Sequence, residues 1–101
     1  MEVDKIVSYQ VEGIDFYFFY SNRVTNDFKE WTKKPITKMD DVEDSLKIFY
    51  LMAKAGAKKK GIPFEYTFDD FLDYDQMETV AAITFVFENL FTPKGKKKQK
   101  P

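Results

Sequence analysis

Hydrophobic and polar positions follow two periods along the chain, beginning with a near-alternating pattern at the N-terminus. Residues 3–11 carry β-branched side chains at roughly alternate positions, and residues 14–20 form a dense aromatic run. Both segments are typical of β-strands, and Glu12-Gly13 marks a turn between them. We therefore predict a β-hairpin, which must pack against helices or another chain because a lone hairpin is marginal in water.

A first helix is predicted to follow the hairpin directly. Ser21 or Asn22 can cap its N-terminus, and it should continue to about Lys33, because Pro35 follows shortly after. Apolar residues at positions i, i+4 and i+7 define its buried face, which consists of Val24, Phe28 and Trp31.

A long second helix is predicted from Asp40 or Asp41 to about Lys60, since acidic groups suit a helix N-terminus and Gly61 suits its end. Apolar side chains cover most of its circumference. One face holds Val42, Leu46, Phe49, Tyr50, Ala53 and Ala57, and another holds Ile48, Leu51, Met52 and Ala55. Such a helix is normally buried. It is therefore predicted to be the central helix of the fold or to lie against a partner.

Two further helices are predicted after a linker at residues 62–64. Thr67 can cap a short helix from Phe68 to Tyr74, and Asp75 can cap a last helix over residues 76–92. The main apolar arc of the last helix is predicted to hold Met77, Val80, Ile83, Phe87, Leu90 and Phe91. Ala82, Phe85 and Val86 lie away from that arc. The expected fold class is α+β and mainly helical, with an N-terminal β-hairpin followed by about four helices.

Charge divides the chain into an acidic body and a basic tail. Its 101 residues fit one globular domain, predicted over residues 1–93. Residues 94–101 hold five of the 16 basic side chains and are predicted to be disordered. The body then carries 11 basic and 17 acidic side chains, a balance that repels a phosphate backbone. Nucleic acid is therefore disfavoured as a partner except through the tail, which otherwise serves as a solubilising end or contacts an acidic protein patch.

Residue types limit the chemistry that the chain can perform. It has no Cys and no His, which excludes disulfides, thiolate nucleophiles and the usual zinc sites, and removes the commonest general base. The acidic segment 69–75 lacks the spacing of a calcium-binding loop, and its carboxylates are interpreted as helix caps. No phosphate-binding loop or nucleophile–base motif is present. We therefore expect no catalytic, cofactor-binding or metal site, and hence no enzyme.

The absence of Cys, of a signal-like segment and of a long apolar run favours a protein that acts inside a cell. The chain nevertheless has more apolar surface than one small core can hide. Alternate aromatic residues in the run 14–20 point to opposite faces of the hairpin, so Tyr17 and Phe19 are exposed unless the chain covers both faces. The candidate partner-binding residues are Tyr17, Phe19, Ile48, Leu51, Met52, Ala82, Phe85 and Val86.

The order of these segments resembles that of a known protein family. An aromatic hairpin, VEGIDFYFFY, leads into SNRVTNDFKEW, and a central helix reading LKIFYLMAKAG is followed by YTFDDFLDY and a last helix. This arrangement, over most of residues 9–92, resembles the tail assembly chaperones of long-tailed (siphovirus-type) phages that infect Gram-positive bacteria. The resemblance depends on the pattern of segments and carries no catalytic residues.

The resemblance implies a function in phage tail assembly. Such chaperones bind and solubilise the tape measure protein in the host cell cytoplasm before tail tube subunits polymerise around it, and they are absent from the mature virion. The tail tube protein is a further partner, and self-association into a homo-oligomer or helical assembly is expected. Many are also made in a longer form by frameshifting, which the lysine run at 96–98 suits. The alternative is a small nucleic-acid-associated regulatory protein that uses the basic tail.

Overall fold

The computed structural model describes residues 5–38 and 41–91, which form a two-stranded β-hairpin followed by four α-helices. The strands are β1 (Val7–Val11) and β2 (Ile14–Phe18), and the helices are α1 (Asn22–Thr32), α2 (Val42–Lys60), α3 (Phe68–Leu72) and α4 (Gln76–Phe91). A 3₁₀ turn at Ile36–Lys38, which the pattern did not predict, connects α1 to α2. The predicted fold class is confirmed. The basic tail at residues 94–101 lies outside the described residues.

The hairpin is closed by a two-residue turn that requires left-handed backbone at both positions. Glu12 has a φ of 55° and Gly13 a φ of 76°, the conformation that matches the twist of two antiparallel strands. Both strands are shorter than predicted: β1 begins at Val7, and β2 ends at Phe18. The second strand stops there because the backbone N–H of Phe19 donates instead to the carbonyl oxygen of Met52 in α2 (3.1 Å).

Helix α2 is the central element of the fold, which is one of the two alternatives that the sequence predicted for it. It packs against β2, α1 and α3, and contacts α4 more weakly. Gly56 allows the closest approach, since a Cβ atom there would lie 2.0 Å from the carbonyl oxygen of Tyr17. The helix therefore covers the outer edge of β2, and both of its predicted apolar faces contribute to the core.

Capping residues begin and end the helices largely where the sequence predicts. The Asp41 side chain accepts from the backbone N–H of Asp44 (2.8 Å) at the start of α2, and Gly61 ends this helix with a φ of 74°. Thr67 and Asp70 cap α3 reciprocally. This helix ends at Leu72 rather than at Tyr74.

Aromatic side chains fill the space between the hairpin, α2 and α3. Phe18 stacks on Phe49 with ring centroids 4.7 Å apart, and Phe16 lies 5.3 Å from Phe71. The cluster continues outwards through Phe64, Tyr66, Tyr74, Tyr50, Phe68 and Trp31. Trp31, predicted to be buried, is 38% exposed at the end of this cluster, where the Lys47 ammonium lies 5.5 Å from its ring.

Helix α4 is rotated relative to the prediction, and its predicted apolar arc is only partly correct, because Ile83, Phe87 and Leu90 pack against the core. Thr79, Ala82 and Val86 are buried against the rest of the chain. The side chains that face outwards instead are Met77, Val80 and Phe91. The buried side chains are small, which lets α4 pack closely against β1. The Glu12 N–H at the hairpin turn also donates to the Glu78 carboxylate (2.8 Å).

Candidate functional site

Five of the eight candidate partner-binding residues lie in the core of the chain. Ile48, Leu51, Met52, Ala82 and Val86 are at most 8% exposed. The prediction of an exposed partner surface is therefore wrong for Ile48, Met52, Ala82 and Val86, which are fully buried because α2 is central and α4 turns its smaller side chains inwards. Leu51 keeps a small exposed area and lines a surface groove. The other three, Tyr17, Phe19 and Phe85, retain surface exposure.

Lysine side chains of α2 lie over the rings of Tyr17 and Phe19. The Lys60 ammonium lies 4.9 Å from the centroid of the Tyr17 ring, and the Lys59 ammonium lies 5.1 Å from that of Phe19. Such cation–π contacts are favourable on the solvent-facing side of a small sheet. Phe85, on the other side of the hairpin, is 41% exposed and packs on Tyr9 with a centroid distance of 5.1 Å. These three residues are thus partly covered by the chain itself.

A shallow apolar groove, here called the α2–α4 groove, lies between the start of α2, α3 and the first half of α4. Its volume is about 180 Å³. Three exposed aliphatic side chains line it: Val42 (64% exposed), Leu72 (50%) and Val80 (44%). Met77, one turn before Val80 on the outward side of α4, is 78% exposed. Grouped aliphatic exposure of this kind is typical of a protein-binding surface.

Thr79 adds a polar group to the α2–α4 groove. The residue is only 7% exposed, and its hydroxyl has no hydrogen-bond partner in the described part of the chain. A buried hydroxyl without a partner is unfavourable. The hydroxyl itself is buried beneath the groove, so its cost belongs to the stability of the isolated chain.

A larger groove, here called the basic groove, lies between the first half of α1 and the second half of α2. The two helices are held together at their other ends by the ion pair between Lys34 and Asp44 (2.6 Å) and by the ring contact of Trp31 with Tyr50. The groove has a volume of about 750 Å³. Its apolar lining consists of Phe19, Val24, Leu51, Ala55, Ile62 and Phe64.

Positive charge surrounds that apolar lining. Arg23, Lys54, Lys58 and Lys59 line the basic groove, whereas Asp27 is its one acidic lining residue. This site was not predicted from the sequence, because α2 was considered there for its apolar faces and its ends alone. The available signal was the spacing: Lys54 and Lys58 are four residues apart, as are Leu51 and Ala55, which places each pair on one side of the helix.

The acidic segment between α3 and α4 acts as predicted at two positions. The Asp70 carboxylate accepts from the backbone N–H of Thr67 (2.8 Å), and the Asp75 carboxylate accepts from that of Glu78 (2.9 Å). The Asp75 N–H in turn donates to Glu12 (2.7 Å). Across residues 5–38 and 41–91, no group of three or more acidic, His or Cys side chains is arranged to hold a metal ion.

The two phenols with shifted pKa values belong to the aromatic cluster rather than to either groove. Burial raises the pKa of Tyr50 above its usual 10.0, and the Asp70 carboxylate raises it further. Burial and the same carboxylate also raise the pKa of Tyr74. The Tyr50 hydroxyl donates to the carbonyl oxygen of Tyr66 (3.1 Å). This arrangement stabilises a core and offers no acid–base pair.

No protein-family model matches the chain, and neither the curated proteins nor the solved structures include a significant match. Within the described ranges, no helix combines the length and the apolar character that crossing a membrane requires. Function is therefore inferred from the two grooves and from the order of the segments.

Proposed function

We propose that the chain is a tail assembly chaperone of a long-tailed phage, which binds and solubilises the tape measure protein before the tail tube polymerises. The observation that supports this proposal is the surplus of large apolar side chains on the surface of a small fold. The exposed residues of this kind are Trp31, Val42, Ile62, Leu72, Met77, Val80, Phe85 and Phe91. A surface of this type is expected of a protein that covers another protein.

Binding would work by covering apolar stripes on a long helical client. An amphipathic helix places its anchors at i, i+3 and i+4, and a groove between helices accepts such anchors. Each subunit needs only a weak contact, because many subunits bound along one client chain gain affinity through avidity. Weak individual contacts also let the coat dissociate when tube subunits replace it.

A coat also needs contacts between neighbouring subunits, and the α2–α4 groove suits this purpose. It contacts α2 through Val42 and Leu46, in the half of that helix opposite to the basic groove, and its other exposed aliphatic residues are Leu72 of α3 and Val80 of α4. Copies joined there would leave the basic groove open for a client. In this proposal the α2–α4 groove mediates self-association through these aliphatic side chains.

Co-expression with the tape measure protein of the same phage tests the proposed function. We expect the tape measure protein to be insoluble alone, soluble with the full chain, and co-purified with a tag on the chain. An unrelated small acidic protein serves as the control for a general effect of co-expression. A tape measure protein that stays insoluble, or that does not co-purify, would contradict the proposal.

A further inference from the structure

We propose that the basic groove binds an acidic amphipathic helix of a partner protein, with apolar anchors on Leu51, Ala55 and Phe64 and carboxylates at Arg23, Lys54 and Lys58. The inference deepens the proposed function by giving the chemistry of the client segment. It rests on that function only for the identity of the partner. The groove combines an apolar lining with a basic rim between two helices, a form that fits helix-in-groove recognition.

The walls of the groove favour a helix over an extended segment. An extended segment needs a free strand edge for its backbone N–H and C=O groups. The outer edge of β2 is already covered, since α2 approaches it at Gly56 and the Phe19 N–H donates to Met52. Two helices and the linker at Ile62 to Phe64 form the lining. A helix satisfies its own backbone groups and presents only side chains, so it fits without leaving buried polar groups unpaired.

The charges around the groove favour an acidic occupant. Arg23, Lys54 and Lys58 have no carboxylate within ion-pair distance in the described ranges, and Asp27 alone opposes them along the lining. Carboxylates on both sides of an apolar stripe would pair with these cations at the rim. Rim charges of this kind steer association and select the partner, more than they add to affinity.

Other occupants fit the groove less well. The basic residues 94–101 of this chain carry the same sign of charge as the rim and are repelled by it. A nucleic acid would place its phosphates over an apolar lining, where a phosphate backbone loses hydration without gaining a contact. The chemistry of the groove therefore points to protein side chains that are apolar in the centre and acidic at the edge.

A pair of designed peptides tests the inference directly. The first is a fluorescein-labelled helix of about 18 residues (roughly five turns) with a Leu stripe flanked by Glu. The matched control has Lys in place of every Glu. With the full chain, we expect anisotropy titrations to show the Glu peptide binding at least about tenfold more tightly, with affinity that falls as salt is added. Equal affinities for the two peptides would overturn the inference.

Charge reversal in the groove identifies the site of binding. Lys54→Glu with Lys58→Glu is expected to weaken binding of the Glu peptide by about tenfold or more. The matched control, Lys5→Glu with Lys38→Glu, changes net charge equally at exposed positions outside the groove lining, and should alter affinity by less than about twofold. Ala55→Trp, which fills the lining, should also block binding. Circular dichroism of each variant verifies folding, and binding that survives all groove variants would refute the site.

Three further outcomes separate the occupants and the two proposals. Displacement of the Glu peptide by a DNA oligonucleotide would overturn the inference. Loss of the oligomer in the Lys54→Glu, Lys58→Glu variant would also overturn it, because the groove of the wild type would then be occupied by a second copy of the chain. Peptide binding without capture of the tape measure protein would support the inference and contradict the proposed function. Capture of the tape measure protein that is unchanged by the groove variants would support the proposed function and contradict the inference.

Discussion

Gly56 shows how a single residue links the central helix to the hairpin. Inside a helix, Gly is less favourable than Ala because it loses more backbone freedom on folding. Here it lies where α2 passes the backbone of β2, and a Cβ atom would meet the Tyr17 carbonyl oxygen at 2.0 Å. Glycine is required at this position because the backbone of β2 comes so close, and not because of the backbone conformation of Gly56 itself.

Gly56→Ala tests this conclusion because two physical effects predict opposite signs. Helix propensity alone would stabilise the variant by about 0.5–1 kcal/mol. We expect instead a destabilisation of about 3 kcal/mol, because overpacking against backbone forces α2 away from β2. Urea unfolding measures the difference. Gly61→Ala is the control, with no atom within 4 Å of its Cβ and only a backbone penalty of about 1–2 kcal/mol at its left-handed position.

Thr79→Val tests the unpaired hydroxyl in the α2–α4 groove. Replacing the hydroxyl by a methyl group removes a buried polar atom that lacks a partner, so the free energy of unfolding should rise by about 1 kcal/mol. Thr84→Val is the matched control at an exposed position of the same helix, with an expected change within about 0.5 kcal/mol. A loss of stability in Thr79→Val would mean that the hydroxyl is already satisfied in the isolated chain.

At the scale of elements, α3 is stabilised mainly by the aromatic cluster that it closes. A five-residue helix is too short to be stable alone, and α3 relies on its capping box and on Phe71, which is buried against Phe16 and Tyr50. The phenols of Tyr50 and Tyr74 belong to this cluster, and burial raises the pKa of each. The attachment of α3 should therefore depend on pH in the alkaline range.

Alkaline titration tests the cluster. A raised pKa in the folded state means that the unfolded chain loses these phenol protons first, so stability is intact below about pH 10 and falls as pH rises from there. Tyr50→Phe and Tyr74→Phe together should flatten this fall, because they remove both ionising groups. Chemical unfolding at about pH 8 and about pH 11 measures it. An equal loss of stability in the wild type and the double variant would place the alkaline transition elsewhere.

At the scale of the whole molecule, the two grooves lie at opposite halves of α2. Val42 and Leu46 in its first half line the α2–α4 groove, and Lys54 and Lys58 in its second half line the basic groove. The central helix therefore separates an aliphatic surface from a positively charged one. In the proposed function, this separation lets one molecule contact a second copy and a client at the same time.

Val80→Glu tests the aliphatic surface. Light scattering of the wild type over a concentration series should show association that increases with concentration. The added charge should raise the apparent dissociation constant by roughly tenfold, or about 1.4 kcal/mol, while the helical circular dichroism stays unchanged, since Val80 is 44% exposed. Asn26→Glu adds the same charge to an exposed position of α1 and should have no effect. A wild-type chain that remains a strict monomer at high concentration would contradict self-association.

The local signals in the sequence were sufficient to predict the hairpin and the four helices, together with several of their limits. Glu12-Gly13 marked the hairpin turn, Asp41 and Gly61 the ends of α2, and Thr67 the start of α3, because turns and caps depend on residues within a few positions of one another. The resemblance to tail assembly chaperones suggested a function, but no periodicity showed where a partner would bind.

Only the tertiary structure decided which apolar faces are core and which are surface. Helix α4 is apolar around most of its circumference, so its period placed Val80 on the main apolar arc, whereas the tertiary structure buries Ala82 and Val86 and leaves Val80 44% exposed. Hydrogen bonds from the Glu12 N–H to Glu78 and from the Asp75 N–H to Glu12 join the start of α4 to the hairpin turn. The basic groove likewise joins Arg23 to Lys58 across 35 positions of sequence. Local sequence determines backbone conformation, whereas the choice of buried face and the assembly of a binding surface depend on contacts between distant segments.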